Sequence, residues 1–324
     1  MNLIERAVER LTEAQSEASR TGAPPADAAT AKTERPNTIE TLADRMAESA
    51  AERAAVVFPR AAPSPLPAPP LTPVPPARTA VEPVRIHLES LRTRGMIVPG
   101  SPPTATGQEF RVIKRPLLGN AFGRLDRAPV QNGKRVMVTS AFPGEGKSFC
   151  AVNLAMSMAA ERDHGIILID ADVAKPSIPR ELGIEVKAGL MDWLIDDRID
   201  LHGLVLPTNV ETLSVLPAGR HHEQATELLA SEAMGRLLEQ LSVLYPDCIM
   251  IFDSPPLLVT TEARVLASYM GQIVMVVEAG KTPRDAVTQA IETIESNEIV
   301  GILLNKAQKV ETSGYYKGYG YGAS

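Results

Sequence analysis

Eight consecutive residues, Ala141-Phe142-Pro143-Gly144-Glu145-Gly146-Lys147-Ser148, carry the strongest chemical signal in this chain of 324 residues. They follow an apolar run, Val136-Met137-Val138, and precede a helical pattern from Phe149 to Ala160. Gly144 and Gly146 allow backbone N–H groups to turn toward an anion. A helix beginning near Lys147 adds its unpaired N–H groups and the positive end of its dipole. In such a turn the lysine reaches the outer phosphates of a nucleotide and the serine hydroxyl meets Mg²⁺. The expected nucleotide contacts are therefore Gly144, Glu145, Gly146, Lys147, Ser148 and Phe149. Ala141 stands where the first glycine of the pattern is usual, and a methyl group is a small change there. A glycine-rich turn with an incidental Lys-Ser is the alternative, and the flanking strand and helix patterns argue against it.

Carboxylates end two further apolar runs. Ile166-Ile167-Leu168-Ile169 leads into Asp170-Ala171-Asp172, and Cys248-Ile249-Met250-Ile251-Phe252 leads into Asp253-Ser254-Pro255-Pro256. In a parallel sheet these ends open on the same edge as the Lys147 turn. Mg²⁺ takes hard oxygen ligands, usually one or two carboxylates with phosphates and waters. Asp253 fits the metal-gripping acid, with Ser148 and Asp170 beside it. Asp170 and Asp172 exceed what metal binding needs, so one of them can accept a proton from an attacking hydroxyl. A single aspartate after a strand is often only a helix cap; three of them around one phosphate turn point to chemistry.

The remaining signal is the C-terminal run Ser313-Gly314-Tyr315-Tyr316-Lys317-Gly318-Tyr319-Gly320-Tyr321-Gly322, which holds four of the six tyrosines. Interleaved glycines make such a segment a poor core element. Its composition fits equally a set of phosphoryl acceptors and a low-complexity segment used for assembly. About ten extended residues beyond Asn305 span about 33 Å, enough to enter the chain's own site or a neighbour's.

The elements that must position these groups follow from periodicity. Candidate strands are Arg135–Thr139, Ile166–Asp170, Thr212–Leu216, Cys248–Asp253, Ile273–Glu278 and Val300–Asn305. Several are continuous apolar runs, as in strands buried on both faces. Helical patterns alternate with them, which predicts an α/β, doubly wound, mostly parallel sheet of the P-loop NTPase type. Upstream, Leu3, Ile4, Ala7, Val8 and Leu11 mark an amphipathic helix over residues 3–14, and a second patch lies near Ile39, Leu42, Met46 and Ala50. A Pro/Ala segment from Pro59 through Pro76 can form neither helix nor central strand and reads as a tether. A short helix is expected over residues 84–94, and another from Gln108 that Pro116 stops. The expected organisation is an N-terminal helical extension over 1–58, a linker over 59–83, a short helix and linker over 84–104, a nucleotide domain over 105–310 and a tail over 311–324.

Composition narrows the class. The net charge of −6 gives no global bias toward nucleic acid. No run of about 18 apolar residues is present to span a membrane, and the N-terminus has charges where a signal peptide needs an apolar stretch. Cys150 and Cys248 sit in apolar patterns and read as buried thiols of a reducing compartment. His221-His222 lies in a polar turn without other ligands around it.

Taken together, these residues resemble the bacterial protein-tyrosine kinases of the capsule and exopolysaccharide type. The resemblance rests on Pro143–Ser148 with Asn153-Leu154-Ala155, on Asp170-Ala171-Asp172 and Asp253-Ser254-Pro255-Pro256, on Gly301-Ile302-Leu303-Leu304-Asn305 and on the terminal tyrosines, and it covers about residues 105–324. The variant Asp170-Ala171-Asp172-Val173-Ala174-Lys175-Pro176 is most similar to the exosortase-associated autokinases. The resemblance implies ATP and Mg²⁺ as cofactors, with Lys147 on the phosphates, Ser148, Asp170 and Asp253 at the metal, and Asp170 and Asp172 assisting deprotonation of the incoming tyrosine. Asn305 is expected at the adenine. It further implies autophosphorylation of Tyr315, Tyr316, Tyr319 and Tyr321 between subunits of a homo-oligomer. Arg111 and Lys114 stand for that family's oligomerisation helix, with Gln108 in place of its glutamate. Ala174 replaces an arginine common among relatives. A separate membrane polysaccharide co-polymerase as activator, a cognate phosphatase, and a cytoplasmic position at the inner face of the membrane are also implied.

Two other classes share the loop and the acids. A positioning or partitioning ATPase of the related P-loop type carries a second lysine early in the loop, where this chain has Phe142. A non-catalytic, nucleotide-gated scaffold for polysaccharide export is the third reading.

Overall fold

The computed structural model describes residues 81–124, 126–294 and 299–307. The chain divides into two units, Met1–Pro73 and Val74–Ser324, and every described residue belongs to the second. The helices expected at 3–14 and near 39–50, the tether from Pro59 to Pro76 and the tyrosine tail lie outside the described residues.

Seven strands form one sheet: β1 (Arg135–Ser140), β2 (Gly165–Asp170), β3 (Leu206–Pro207), β4 (Leu213–Leu216), β5 (Cys248–Asp253), β6 (Gln272–Glu278) and β7 (Ile299–Asn305). Their order is β3-β4-β2-β5-β1-β6-β7, parallel throughout except for β3 against β4. The six strands read from the sequence are all present, with ends moved by at most a residue. The two-residue β3 had no pattern to reveal it, being short and ending in proline.

Strand residues alternate between two cores. Met137, Ile167, Ile169, Met250, Phe252 and Met275 point to one face, while Val136, Val138, Ile166, Leu168, Ile251 and Val276 point to the other. Both faces are therefore apolar, which is why these strands read as continuous hydrophobic runs. The second face is covered by α3 (Lys147–Ala159), in which ten successive residues from Cys150 to Ala159 are buried. The chain runs outward from β1 to β2 and β4, then returns to place β5 between β2 and β1. That reversal opens a crevice at the carboxyl ends of β1, β2 and β5.

Before the sheet stands α1 (Leu88–Thr93), shorter than the sequence predicts. Val84 is an extended residue bridged in parallel to Thr208, its N–H donating to Pro207 O at 2.8 Å. Ile86 N–H donates to Asn209 Oδ1 at 2.8 Å, and Ile97 N–H donates to Asn153 Oδ1 at 2.7 Å on α3. Residues 84–98 are thus a strap laid over the face that α3 covers, with Leu91 fully buried under it.

The helix expected from Gln108 to Pro116 instead runs from Ala105 to Phe122 (α2), through Pro116. Thr104 caps its start by accepting from Gly107 N–H at 3.0 Å. An internal proline costs about 3 kcal/mol. Phe110, Leu117 and Ala121, on both sides of the proline, are buried in the α3 core. Their burial, roughly 1.5–3 kcal/mol for each large side chain, outweighs the lost hydrogen bond.

If the strap is part of this fold, Leu91→Ala should lower unfolding free energy by about 2–5 kcal/mol, the range for a buried leucine truncated to alanine. Urea denaturation of the full chain measures this, and an unchanged midpoint would show that the strap is not packed.

Candidate active site

The phosphate turn is built by two left-handed glycines, Gly144 at φ 86° and Gly146 at φ 98°. Gly146 caps α3 without any side-chain hydrogen bond, so no side chain occupies the N–H groups that an anion would take. A Cβ on Gly146 would sit 2.2 Å from Asn305 Nδ2, so both conformation and space require glycine there. Ala141 is fully buried behind the turn, and its methyl is accommodated.

A second layer holds the turn from below. Asn305, expected at the adenine, donates its amide to Glu145 O at 2.8 Å, at the end of β7. Lys306 donates to Gly144 O at 2.7 Å and to Glu278 Oε2 at 3.1 Å. The Glu145 carboxylate is buried. It accepts from Phe142 N–H at 2.7 Å and from the Thr282 hydroxyl. The side chain is a brace between the turn and the end of β6.

The acids converge through register. Asp170 pairs directly with Asp253 across β2 and β5, and Asp253 is also the register partner of Val138 on β1. Both carboxylates are fully buried. Asp170 Oδ2 accepts from Ser177 N–H and Ile178 N–H, each at 2.9 Å. Asp253 accepts from the Ser177 hydroxyl at 3.3 Å, and the Ser148 hydroxyl helps to hold its charged form. Burial, then the charge of Asp253, pushes Asp170 up to about 7. Burial likewise pushes Asp253 up to about 6, opposed chiefly by the Lys147 charge. Asp170 Oδ1 and Asp253 Oδ1 are buried without any hydrogen-bond partner. Unsatisfied, hard carboxylate oxygens beside a serine hydroxyl fit a divalent cation. Ser148, Asp170 and Asp253 are the residues that would hold it.

Asp172 has a different role in the geometry. Its Oδ2 lies 2.6 Å from Lys147 Nζ, and its Oδ1 accepts from Lys175 N–H at 3.1 Å. Unlike Asp170, it lines a cavity of about 560 Å³. Lys147 and Ser148 line the same cavity, whose apolar walls include Met96, Pro143, Phe149, Pro256 and Val259. The sequence leaves the proton acceptor open between the two acids; of the two, Asp172 is the one that lines this cavity.

Two expected assembly residues separate. Lys114 is buried, donates to Ser157 O at 2.5 Å and pairs with Glu161 at 2.8 Å, so it serves the packing of α2 on α3 and is not presented to a neighbour. Arg111 is exposed on α2. Cys150 and Cys248 are free; burial pushes the Cys150 thiol up to about 12 and also raises Cys248. His221 and His222 lie in a loop, where His222 Nδ1 accepts from Gln224 N–H. Sequence reasoning missed Ser177, Thr282 and Met96. Each sits in a polar or irregular stretch with no periodicity, and only the folded chain brings it to the site.

Comparison with known proteins extends this picture. Residues 131–314 match the ParA family model, described as NUBPL iron-transfer P-loop NTPase. The tyrosine-protein kinase YwqD of Bacillus subtilis is 31% identical over 237 residues, which is 72% of this chain and 95% of that one. The succinoglycan biosynthesis transport protein ExoP of Rhizobium meliloti is 31% identical over 185 residues, 56% of this chain and 23% of that protein. Among solved structures, the chimerical protein CapA2B2 superposes with a TM-score of 0.54 at 26% identity, covering 68% of this chain and all of that one.

The buried acid pair sets a pH dependence. Both folded-state values lie above the ordinary carboxylate value of 3.8, so the pair's contribution to stability is complete below about pH 4 and is lost as pH rises through 6 to 7. Each tenfold change in a group's proton affinity on folding is worth about 1.4 kcal/mol. Without nucleotide or divalent cation, Asp253→Asn should therefore exceed the parent in stability by about 2 kcal/mol near pH 8. The gap should close by pH 4. Denaturation of both proteins across that range checks it, and a gap independent of pH would contradict the strained pair.

Proposed function

This chain belongs to the ParA family of P-loop NTPases, on the branch of the bacterial tyrosine-protein kinases, and we propose that it is an ATP-dependent autokinase whose acceptors are its own C-terminal tyrosines. The kinase activity comes with the family. The observation that carries the acceptor assignment is the cavity that joins Lys147, Asp172 and an apolar wall in one space, in a chain that ends in a tyrosine cluster.

In this mechanism the phosphates of ATP take the N–H groups of the turn and draw Lys147 away from Asp172. The lysine then stabilises charge on the transferring phosphoryl group. Asp172, released from its ion pair, accepts the proton of the tyrosine hydroxyl. The phenolic oxygen bonds to the γ-phosphorus, the bond to the β–γ bridging oxygen breaks, and ADP leaves. Mg²⁺ held by Ser148, Asp253 and Asp170 would supply neutralisation of phosphate charge. Asn305, Lys306, Glu145 and Thr282 keep the turn in the shape that this requires.

The tail acts between copies of the chain. Each phosphate adds about −1.5 to −2 charge, so phosphorylated copies repel one another, and assembly and release alternate with the action of a phosphatase. Arg111 on α2 contributes to the contact between copies. ExoP is named a succinoglycan biosynthesis transport protein, which supports a polysaccharide setting here; a separate membrane co-polymerase as activator is part of the same proposal. No helix among the described residues is long and apolar enough to cross a membrane.

The family model's description raises iron transfer as a second reading. The two cysteines of this chain are buried or half-buried, with thiols held protonated, so they do not offer a thiolate pair for iron. A partitioning ATPase is disfavoured by Phe142, where such proteins carry a second lysine.

Mass spectrometry of the purified chain after incubation with ATP and Mg²⁺ should find phosphate on Tyr315, Tyr316, Tyr319 or Tyr321, and none in Lys147→Ala. Phosphotyrosine on the Lys147→Ala protein purified alone, or free phosphate release without phosphotyrosine in the parent, would refute the assignment.

A further inference from the structure

The mouth of the cavity carries more positive charge than its own acids balance. Arg94, Lys175 and Arg180 line it, against Asp172 and Glu181. Asp172 is held by Lys147. Glu181 is held by Arg94, whose Nη1 lies 2.7 Å from Glu181 Oε2 and whose Nη2 donates to Glu181 O. Lys175 is exposed and has no ion-pair partner among the described residues. Arg180 is 80% exposed and only skirts Glu181 at 3.6 Å. Both cations are nonetheless fixed at their backbones to the site's acids. Lys175 N–H binds Asp172 Oδ1. The short helix that bears Arg180, α4 (Ile178–Leu182), starts on the N–H bonds that Ser177 and Ile178 donate to Asp170. An anion on these two side chains would stand beside whatever hydroxyl faces Asp172.

The tail sequence indicates which anion. The one acidic side chain of the tail over 311–324 is Glu311, four residues before Tyr315; from Ser313 to Ser324 there is no aspartate or glutamate, one lysine and four tyrosines. Without modification no anionic side chain stands among the tyrosines themselves. Once one tyrosine is phosphorylated, a dianion with three acceptor oxygens stands one residue away in Tyr315-Tyr316, or two away in Tyr319-Gly320-Tyr321. Lysine and arginine bind such a group by charge-assisted hydrogen bonds, about twice as strong as neutral ones.

We propose that Lys175 and Arg180 form a phosphotyrosine-reading rim that selects, as the next acceptor, a tyrosine whose neighbour already carries phosphate. The cluster is then filled in primed succession, not at random. This rests on the assignment of the tail as acceptor. Lys175 and Arg180 are specificity residues in this scheme, acting on the substrate's neighbouring group and not on the reacting atoms.

The test uses the full chain with Tyr315, Tyr316, Tyr319 and Tyr321 all changed to Phe, acting on two peptides of residues 311–324 with amidated C-termini. One peptide is unmodified, and the other carries phosphotyrosine at Tyr321. The primed peptide should have a kcat/KM roughly tenfold higher, the scale of one charge-assisted hydrogen bond, and the gain should lie in KM. Lys175→Ala with Arg180→Ala should bring the ratio toward one, while Lys175→Arg should keep it. Equal use of both peptides by the unaltered rim would overturn the proposal. So would a double variant that weakens both peptides by the same factor, since that describes nucleotide binding or folding. A chain that phosphorylates neither peptide overturns the acceptor reading itself, and the rim with it.

Discussion

The parallel register of β2 on β5 brings Asp170 face to face with Asp253 inside the protein, and the remainder of the site is arranged around that unfavourable pairing. Two carboxylates so far from water repel each other and resist ionisation. Ser177 and Ile178 relieve part of this with N–H groups, and Lys147 and Ser148 relieve another part from the phosphate turn. One oxygen on each acid remains without a hydrogen-bond partner. A site with surplus negative charge and unpaired hard oxygens is poised to receive a cation together with a polyphosphate. The fold sustains that tension because apolar cores on both sides of the sheet hold the register.

The same constraint divides the labour among three aspartates. Asp170 and Asp253 are locked at strand ends and closed to an incoming side chain. Asp172, two residues beyond the strand, turns outward to the cavity and meets Lys147. In the proposed mechanism this ion pair couples the two halves of the reaction: Lys147 on Asp172 masks the base, and arrival of the phosphates unmasks it. Behind the turn, Glu145, Thr282, Asn305 and Lys306 tie its backbone to the ends of β6 and β7.

Much of this was legible in the sequence, and the boundary of legibility has physical causes. Strands buried on both faces appear as unbroken apolar runs, so six of seven strands, the sheet class and the convergence of Lys147, Asp170 and Asp253 could be read directly. Local patterns failed where tertiary packing overrode them. Pro116 should end a helix, but burial of Leu117 and Ala121 carries α2 past it. Lys114 reads as a surface cation, yet the carbonyl of Ser157 and the carboxylate of Glu161 draw it inward. The Glu145 side chain is held by Thr282, 137 residues away, a contact that no local pattern shows. The strap over residues 84–98 gives the cavity Met96 and Arg94, and no periodicity could have announced that.

The mechanism turns on Asp172, freed from Lys147 by the incoming nucleotide, taking the proton of the acceptor tyrosine. A single-turnover assay of phosphotyrosine formation by Asp172→Asn, with ATP affinity determined on the same protein, isolates that step. ATP binding should be retained, and phosphoryl transfer should slow by about 10²–10⁴-fold, the range for loss of a positioned general base. Transfer at the parent rate by Asp172→Asn would contradict the proposed role of this acid.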